Sequence, residues 1–285
     1  MCIAIKYKNC VGRNFDYEIS YKETPRTYDK EKYNIIGMVT DIIKEYPLYY
    51  DAMNEHGLVM CGLNFEGNAI YNKDKKDTLN IPSWDLIIRV LGNCRTINDV
   101  KMYLYNANIT DTPYNDNLPT SELHWFIADK DKSLVLEQTK DGLNWYENEY
   151  DVMTNNPPFD AMKKIQSIKE ENKLKNKIRG LYNKLMPKEA VTRGTETLGI
   201  EGDLTSIGRF RRAYFYKQKM LNCKDKFYEK IETFHLLDLV KQPYGATPVN
   251  DKYEYTIYEV VYDMENLIMY IKKYDDLKYD FHVVG

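Results

Sequence analysis

The chain opens on a short alternating run, Cys2-Ile-Ala-Ile-Lys-Tyr-Lys8, stops at Asn9, and resumes as Cys10-Val-Gly-Arg-Asn-Phe15. Alternation with period two marks a strand with one buried face, and two such runs around Lys8 and Asn9 predict a hairpin. A turn there places Cys2 opposite about residue 15 and brings Arg13 and Asp16 close to the chain's own start. Gly57 to Phe65 reads as another strand, partly buried on both faces. Pro82 with the apolar run to Leu91 predicts a helix with proline in its first turn and Gly92 near its stop. Thr96 opens a second helix to Tyr105. His124 to Ala128 and Ser133 to Glu137 read as strands joined by a turn. Met162 to Leu185 carries Ile165, Ile168, Ile178 and Leu181 at helical spacing among lysines and glutamates, which predicts a solvated amphipathic helix. Phe210 to Met220 and Tyr228 to Val240 are further helices. Tyr253 to Tyr262, a turn at Met264 to Asn266, and Leu267 to Ile271 form a closing hairpin. Strands at both ends with helices between predict an α+β fold: two stacked antiparallel sheets between helical layers. No repeat, low-complexity tract or linker interrupts the pattern, so residues 1–285 read as one domain.

Composition narrows the class. The chain of 285 residues is 43% hydrophobic and 29% charged, enough to bury a sizeable core. A formal net charge of −3 leaves no basic excess to neutralise phosphates, which argues against a nucleic-acid binder. No apolar run approaches the roughly 18 residues that span a bilayer, and the start lacks a signal-peptide pattern. These features predict a soluble cytoplasmic protein without membrane or nucleic-acid partners. Five cysteines, with no CxxC pair, argue against a disulfide framework or zinc site. The four histidines are scattered, so neither a metal nor another cofactor is expected. Twenty-six tyrosines read as compositional bias.

Cys2 is where chemistry concentrates. With Met1 removed, it carries a thiol and a free α-amine whose reference pKa of about 7.7–8 leaves part of it neutral at pH 7. One residue then supplies nucleophile and base without a histidine. An arginine near a thiol favours the thiolate, and a carboxylate near an amine orients it; the hairpin brings Arg13 and Asp16 to those places. Taken singly, Cys2 is a small residue after the initiator and Arg13 with Asp16 a plain ion pair. A conventional Cys-His protease pairing Cys61 or Cys94 with His124 or His235 lacks any local signature.

Met1-Cys2 followed by Gly12-Arg-Asn-Phe-Asp16 resembles the opening of the choloylglycine hydrolases, the family of conjugated bile acid hydrolases and penicillin V acylases. The resemblance continues through Asp51-Ala-Met-Asn-Glu-His-Gly-Leu58, Gly62-Leu-Asn-Phe65, Leu123-His-Trp-Phe-Ile-Ala-Asp129, Thr154-Asn-Asn-Pro157, Gly202-Asp-Leu-Thr205 with Arg209-Phe210, and Lys252 to Tyr258. It implies the αββα sandwich of the N-terminal nucleophile hydrolases and a homotetramer. It also implies roles: Cys2 as nucleophile, Arg13 and Asp16 setting the charge of thiol and amine, and Asn64 donating its side-chain amide to an oxyanion. Asn155 would hold the α-amine and substrate, and Arg209 would complete the polar set. Departures are a shorter stretch between Glu18 and Ile35, Glu196 and Glu201 in a region usually rich in glycine, Gly208 where serine often stands, and Glu259-Val260-Val261 in place of small residues.

The implied activity is a cysteine amidase that cleaves the linear amide joining a bile acid to glycine or taurine, a small-molecule substrate in lipid metabolism. The alternatives are a penicillin V acylase or another N-acyl amide hydrolase, including one for acyl homoserine lactones; a binding protein without turnover is a further reading. Asn64 favours the bile salt reading, since acylases often carry a bulkier aromatic there. Expected pocket-lining positions are Phe15, a loop from Tyr49 to Met53, and an irregular run from Ile109 to Leu118 that includes Tyr114.

Overall fold

The computed structural model describes residues 2–40, 46–167, 199–223, 225–276 and 278–284, with isolated positions 177, 180, 181, 184, 194 and 197. The opening hairpin forms as its pattern requires. Strands β1 (Ile3–Tyr7) and β2 (Cys10–Tyr17) pair antiparallel with Ile3 opposite Asn14 and Tyr7 opposite Cys10. The ladder thus sets Cys2 across from Phe15.

The second strand of that hairpin lies next to β14 (Lys252–Asp263), which pairs on to β15 (Ile268–Lys273) and β16 (Asp280–Val283). On the other side, β1 pairs with β12 (Val152–Met153), and β13 (Thr247–Val249) adds to β14. A second antiparallel sheet has β3 (Glu23–Tyr28), β4 (Ile35–Thr40), β5 (Tyr49–Asn54) and β6 (Val59–Asn64) in sequence. It continues through β9 (Leu123–Ala128), β10 (Ser133–Thr139) and β11 (Gly142–Glu147). A separate parallel pair joins β7 (Leu79–Pro82) to β8 (Ala107–Thr110).

Two cores follow from the pleat. Ile36, Met38, Met53, Val59, Cys61 and Phe126 of the second sheet pack with Ala4, Val11 and Val260 of the first, whereas Ile3 and Ile5, opposite Asn14 and Gly12, face the other way. Their alternates Ile35, Val39, Ala52, Met60 and Ile127 pack outward against α1 (Leu86–Asn93) and α2 (Ile97–Tyr103). The outer face of the first sheet is covered by α4 (Ser206–Lys219) and α5 (Phe227–Asp238). Gly12 permits that approach, since a Cβ there would stand 2.6 Å from Thr233 Cγ2 of α5. The order is helix, sheet, sheet, helix, as the pattern predicts. A shorter helix, α3 (Phe159–Ser167), follows β12. No described helix is long and apolar enough to cross a membrane.

Several expectations need correcting. Pro82 closes β7 instead of opening a helix; α1 begins at Leu86 behind its N-cap Asp85. Proline is tolerated there because β7 is an edge strand, paired on one side only. Tyr49 to Met53 is not a loop but part of β5, and Ile109 lies in β8; only residues after Thr110 are irregular. Strand β4 is buried along its whole length, so it shows no period-two alternation to read. The helix expected from Met162 to Leu185 is present as α3 to Ser167, and the rest falls largely outside the described residues, as does Glu196.

Candidate active site

The odd and even residues of β2 serve opposite faces. Arg13 and Phe15 point between the sheets, whereas Gly12, Asn14 and Asp16 point to the helices; Asn14 Nδ2 donates to the Leu237 carbonyl of α5 at 3.1 Å. Arg13 is buried. Its Nη1 donates to Asp51 Oδ2 of β5 and to the Tyr258 hydroxyl at 3.1 Å. Nη2 donates to the Gly62 carbonyl at 2.6 Å and to Cys2 Sγ at 3.4 Å. Burial works against the Arg13 charge, but Tyr258, Cys2 and Asp51 outweigh it and hold the guanidinium pKa well above its ordinary value.

Two irregularities in the ladders bring these groups together. Where β4 pairs with β5, Met38 faces Asp51 and Val39 faces Tyr49, so Tyr50 is an extra residue in a bulge. Where β14 pairs with β2, Thr256 faces Asp16 and Tyr258 faces Phe15, so Ile257 is extra. A bulge re-aims the side chains beside it. The first lets Asp51 turn inward under Arg13 while Tyr49 turns outward. The second lets Thr256 join the helix-side groups while Tyr258 joins the inner ones. Asp51, fully buried, also accepts from the Tyr258 hydroxyl at 2.6 Å and the Tyr262 hydroxyl at 2.5 Å. Burial first, then Asp51, pushes both phenol pKa values well up, so both remain donors. Burial, and then Asp51, does the same to the Cys61 thiol.

On the helix side, Asp16 Oδ2 accepts from Arg209 Nη1 of α4 at 2.7 Å and from Gln242 Nε2 at 3.0 Å. Its Oδ1 accepts from Thr256 Oγ1 at 2.6 Å. Arg209 Nη2 reaches Asn155 Oδ1 at 3.5 Å, and Asn155 Nδ2 donates to the Asn64 carbonyl at 2.7 Å. Cys2 Sγ lies 3.9 Å from the Asp16 carbonyl. Cys2, Arg13, Asp16, Asn64, Asn155 and Arg209, up to 207 positions apart in sequence, are therefore linked by one chain of contacts. Arg209 arrives there because Thr205 caps α4, and Gly208 leaves room for the Asp203 carboxylate exactly where a Cβ would project.

Of the expected pocket positions, the structure brings Phe15 into this set, and Tyr50 and Asp51 from the run Tyr49 to Met53. The Phe15 ring stacks on Tyr258 at 5.1 Å, meets Tyr50 at 4.5 Å, and lies 4.9 Å from the Arg13 guanidinium carbon. Tyr49 packs outward and donates its hydroxyl to the Arg26 carbonyl at 3.0 Å. Met53 is sealed between the sheets, and Ile109 is buried in the α1–α2 layer. Tyr114 meets the edge of Trp84 at 5.1 Å. Tyr50 and Asp51 fall inside the expected run Tyr49 to Met53, but the sequence assigns no role to Tyr258, Tyr262, Thr256 or Gln242. Twenty-six tyrosines read as compositional bias, and the bulges that aim these leave no mark in the hydrophobic pattern. The departure at Glu259 is a buried carboxylate paired with Lys241 at 2.6 Å and Lys272 at 3.2 Å.

A sequence profile described as linear amide C–N hydrolases, choloylglycine hydrolase family, matches residues 2–281. The chain belongs to that family. Among its relatives, a protein of Lactiplantibacillus plantarum named bile salt hydrolase/transferase is 40% identical, over 97% of this chain and 90% of its own length. One of the same name from Clostridium perfringens is 36% identical over 93% of this chain and 85% of its own. A mutant conjugated bile acid hydrolase from Clostridium perfringens superposes with a TM-score of 0.81 at 30% identity, over 99% of this chain and 92% of the other. A penicillin V acylase from Agrobacterium tumefaciens, at TM-score 0.71 and 18% identity over 98% of this chain and 84% of its own, shares the fold. This choloylglycine hydrolase family member is thus an enzyme acting on linear amide C–N bonds, with the αββα layering of the N-terminal nucleophile hydrolases.

Removing one partner of a buried ion pair strands the other charge. Asp51→Asn should lower stability by about 3–5 kcal/mol, read from urea unfolding; a loss below about 1 kcal/mol would mean Arg13 is held without it.

Proposed function

We propose that this enzyme hydrolyses the amide joining a bile acid to glycine or taurine, with Cys2 as its N-terminal nucleophile. The observation that carries the chemistry is the Arg13 Nη2 contact to Cys2 Sγ at 3.4 Å, inside a buried cluster at the second residue of the chain. The substrate class rests on the relatives named bile salt hydrolase/transferase, at 40% and 36% identity. Once Met1 is removed, the α-amine takes the thiol proton, and Arg13 stabilises the thiolate that results. Sulfur attacks the amide carbonyl, and the carbonyl π-electrons move onto oxygen. The Asn64 side-chain amide donates to that oxyanion without titrating. The α-amine returns its proton to the departing glycine or taurine nitrogen, the C–N bond breaks, and a thioester remains on Cys2. Water, deprotonated by the same amine, releases the bile acid and restores the thiol. Asp16, held by Arg209, orients the amine, and Asn155 holds amine and substrate.

The aromatic cluster of Phe15, Tyr50 and Tyr17, with Phe15 across the ladder from Cys2, suits a rigid apolar steroid, whose burial contributes roughly 25 cal/mol per Å². Residues 1–285 act as one catalytic unit in this reading. The family resemblance carries two further parts of it, a homotetramer and a cytoplasmic role in lipid metabolism.

Cys2→Ala should abolish hydrolysis in a folded protein, while Cys10→Ala, Cys61→Ala, Cys94→Ala and Cys223→Ala each keep substantial activity. Asn64→Ala should lower kcat by about 10²–10³. An active Cys2→Ala enzyme would move the nucleophile elsewhere. For the substrate, turnover of glycocholate, taurocholate and penicillin V is compared on the mature enzyme. Bile salts should be preferred, and Phe15→Ala should raise KM with little change in kcat, since an apolar contact serves ground and transition states alike. Faster turnover of penicillin V, with Phe15→Ala silent toward bile salts, would give the assignment to an acylase.

A further inference from the structure

Beneath the two asparagines lie two buried polar side chains that none of these steps uses. His124 of β9 sits opposite Leu63 of β6, one residue before Asn64. Glu137 comes from the neighbouring β10 and is fully buried. His124 Nδ1 and Glu137 Oε1 are 3.1 Å apart, and the same oxygen accepts the Phe159 backbone N–H at 3.0 Å, at the start of α3. Phe65, next to Asn64, lies flat on the His124 ring, with centroids 4.1 Å apart and planes at 8°. The pair lines a small cavity with Thr154, Asn155 and Phe159. Within the described structure, Glu137 Oε2 meets no hydrogen-bond partner. Burial pushes the imidazole pKa down, against the opposing pull of Glu137 and the Thr154 carbonyl.

Glu137 meets the Phe159 N–H, but that needs an acceptor alone and not a buried imidazole bonded to it, so the pair calls for another reason. We propose that His124 and Glu137 are positioning residues that set Asn64 and Asn155 relative to each other, an inference resting on the roles proposed above for those asparagines. The His124 ring supports the end of β6 through Phe65. Glu137 fixes the first residue of α3, and so the far end of the connection from β12 that carries Asn155. Thr154 anchors the near end, its hydroxyl accepting from Ser206 Oγ of α4 at 2.9 Å. Asn156 Nδ2 ties the middle to the Glu66 carbonyl at 2.9 Å. Both asparagines are thereby referred to one buried hydrogen bond, and a small displacement of either amide is costly to a step that depends on orientation.

The test is His124→Phe, which keeps an aromatic ring against Phe65 and removes the bond to Glu137. Turnover of glycocholate is normalised to the Cys2 thiol alkylated by iodoacetamide, followed by mass spectrometry. Expected are a fall in kcat of about tenfold per titrated thiol, KM changed by less than about threefold, and an unchanged Cys2 alkylation rate. If His124→Phe fails to fold, Glu137→Leu is read in the same way. A purely structural role would reduce the number of titratable thiols and leave kcat per thiol at the parental value, which overturns the proposal. Asn64→Ala is measured alongside. If it lowers kcat while the His124 variant does not, the positioning pair alone falls; if Asn64→Ala is silent, the oxyanion reading beneath it falls.

Discussion

The buried pair of Arg13 and Asp51 is the interaction on which the rest of the site depends. The two residues belong to different sheets, so the pair joins the layers of the sandwich at the point where the chain begins. A guanidinium buried without an anion is too costly to persist, and Asp51 supplies that anion. The hydroxyls of Tyr258 and Tyr262 share the carboxylate, and the Gly62 carbonyl takes up a further guanidinium N–H. The nitrogen that donates there, Nη2, also faces the Cys2 sulfur.

From that anchor, the alternation of a single strand organises two environments around one residue. Inward-facing Arg13 serves the thiol, and outward-facing Asp16 serves the helix side, where Arg209, Gln242 and Thr256 hold its carboxylate. An N-terminal nucleophile needs this division, because thiol and α-amine leave the same Cα in different directions and need opposite kinds of neighbour. A strand delivers both at spacing i and i+3 without a loop. The two bulges, at Tyr50 and Ile257, complete the arrangement by turning residues from adjoining strands to the side where they are needed.

Much of this was legible in the sequence. The opening hairpin, its register and the approach of Arg13 and Asp16 to Cys2 follow from period-two alternation around a polar turn. The layered α+β order follows from strands at both ends with helices between. The roles proposed for Asn64, Asn155 and Arg209 rest on family resemblance, since each alone is an ordinary strand, turn or helix residue. Three kinds of information were not legible. Strand β4 is covered on both faces and carries no alternation. Asp51 is one carboxylate among many until its bulge is seen. Tyr49 and Tyr50 are identical in sequence, yet one faces the helical layer and the other meets Phe15.

The central claim is that Cys2 acts through its own free α-amine, so the most direct measurement is the N-terminal residue of fully active enzyme, by intact mass with terminal sequencing. The account predicts a chain beginning at Cys2, with catalytic rate proportional to that species. A fully active species that still carries Met1 would contradict it, because its amine would lie one residue away from the thiol it is held to deprotonate.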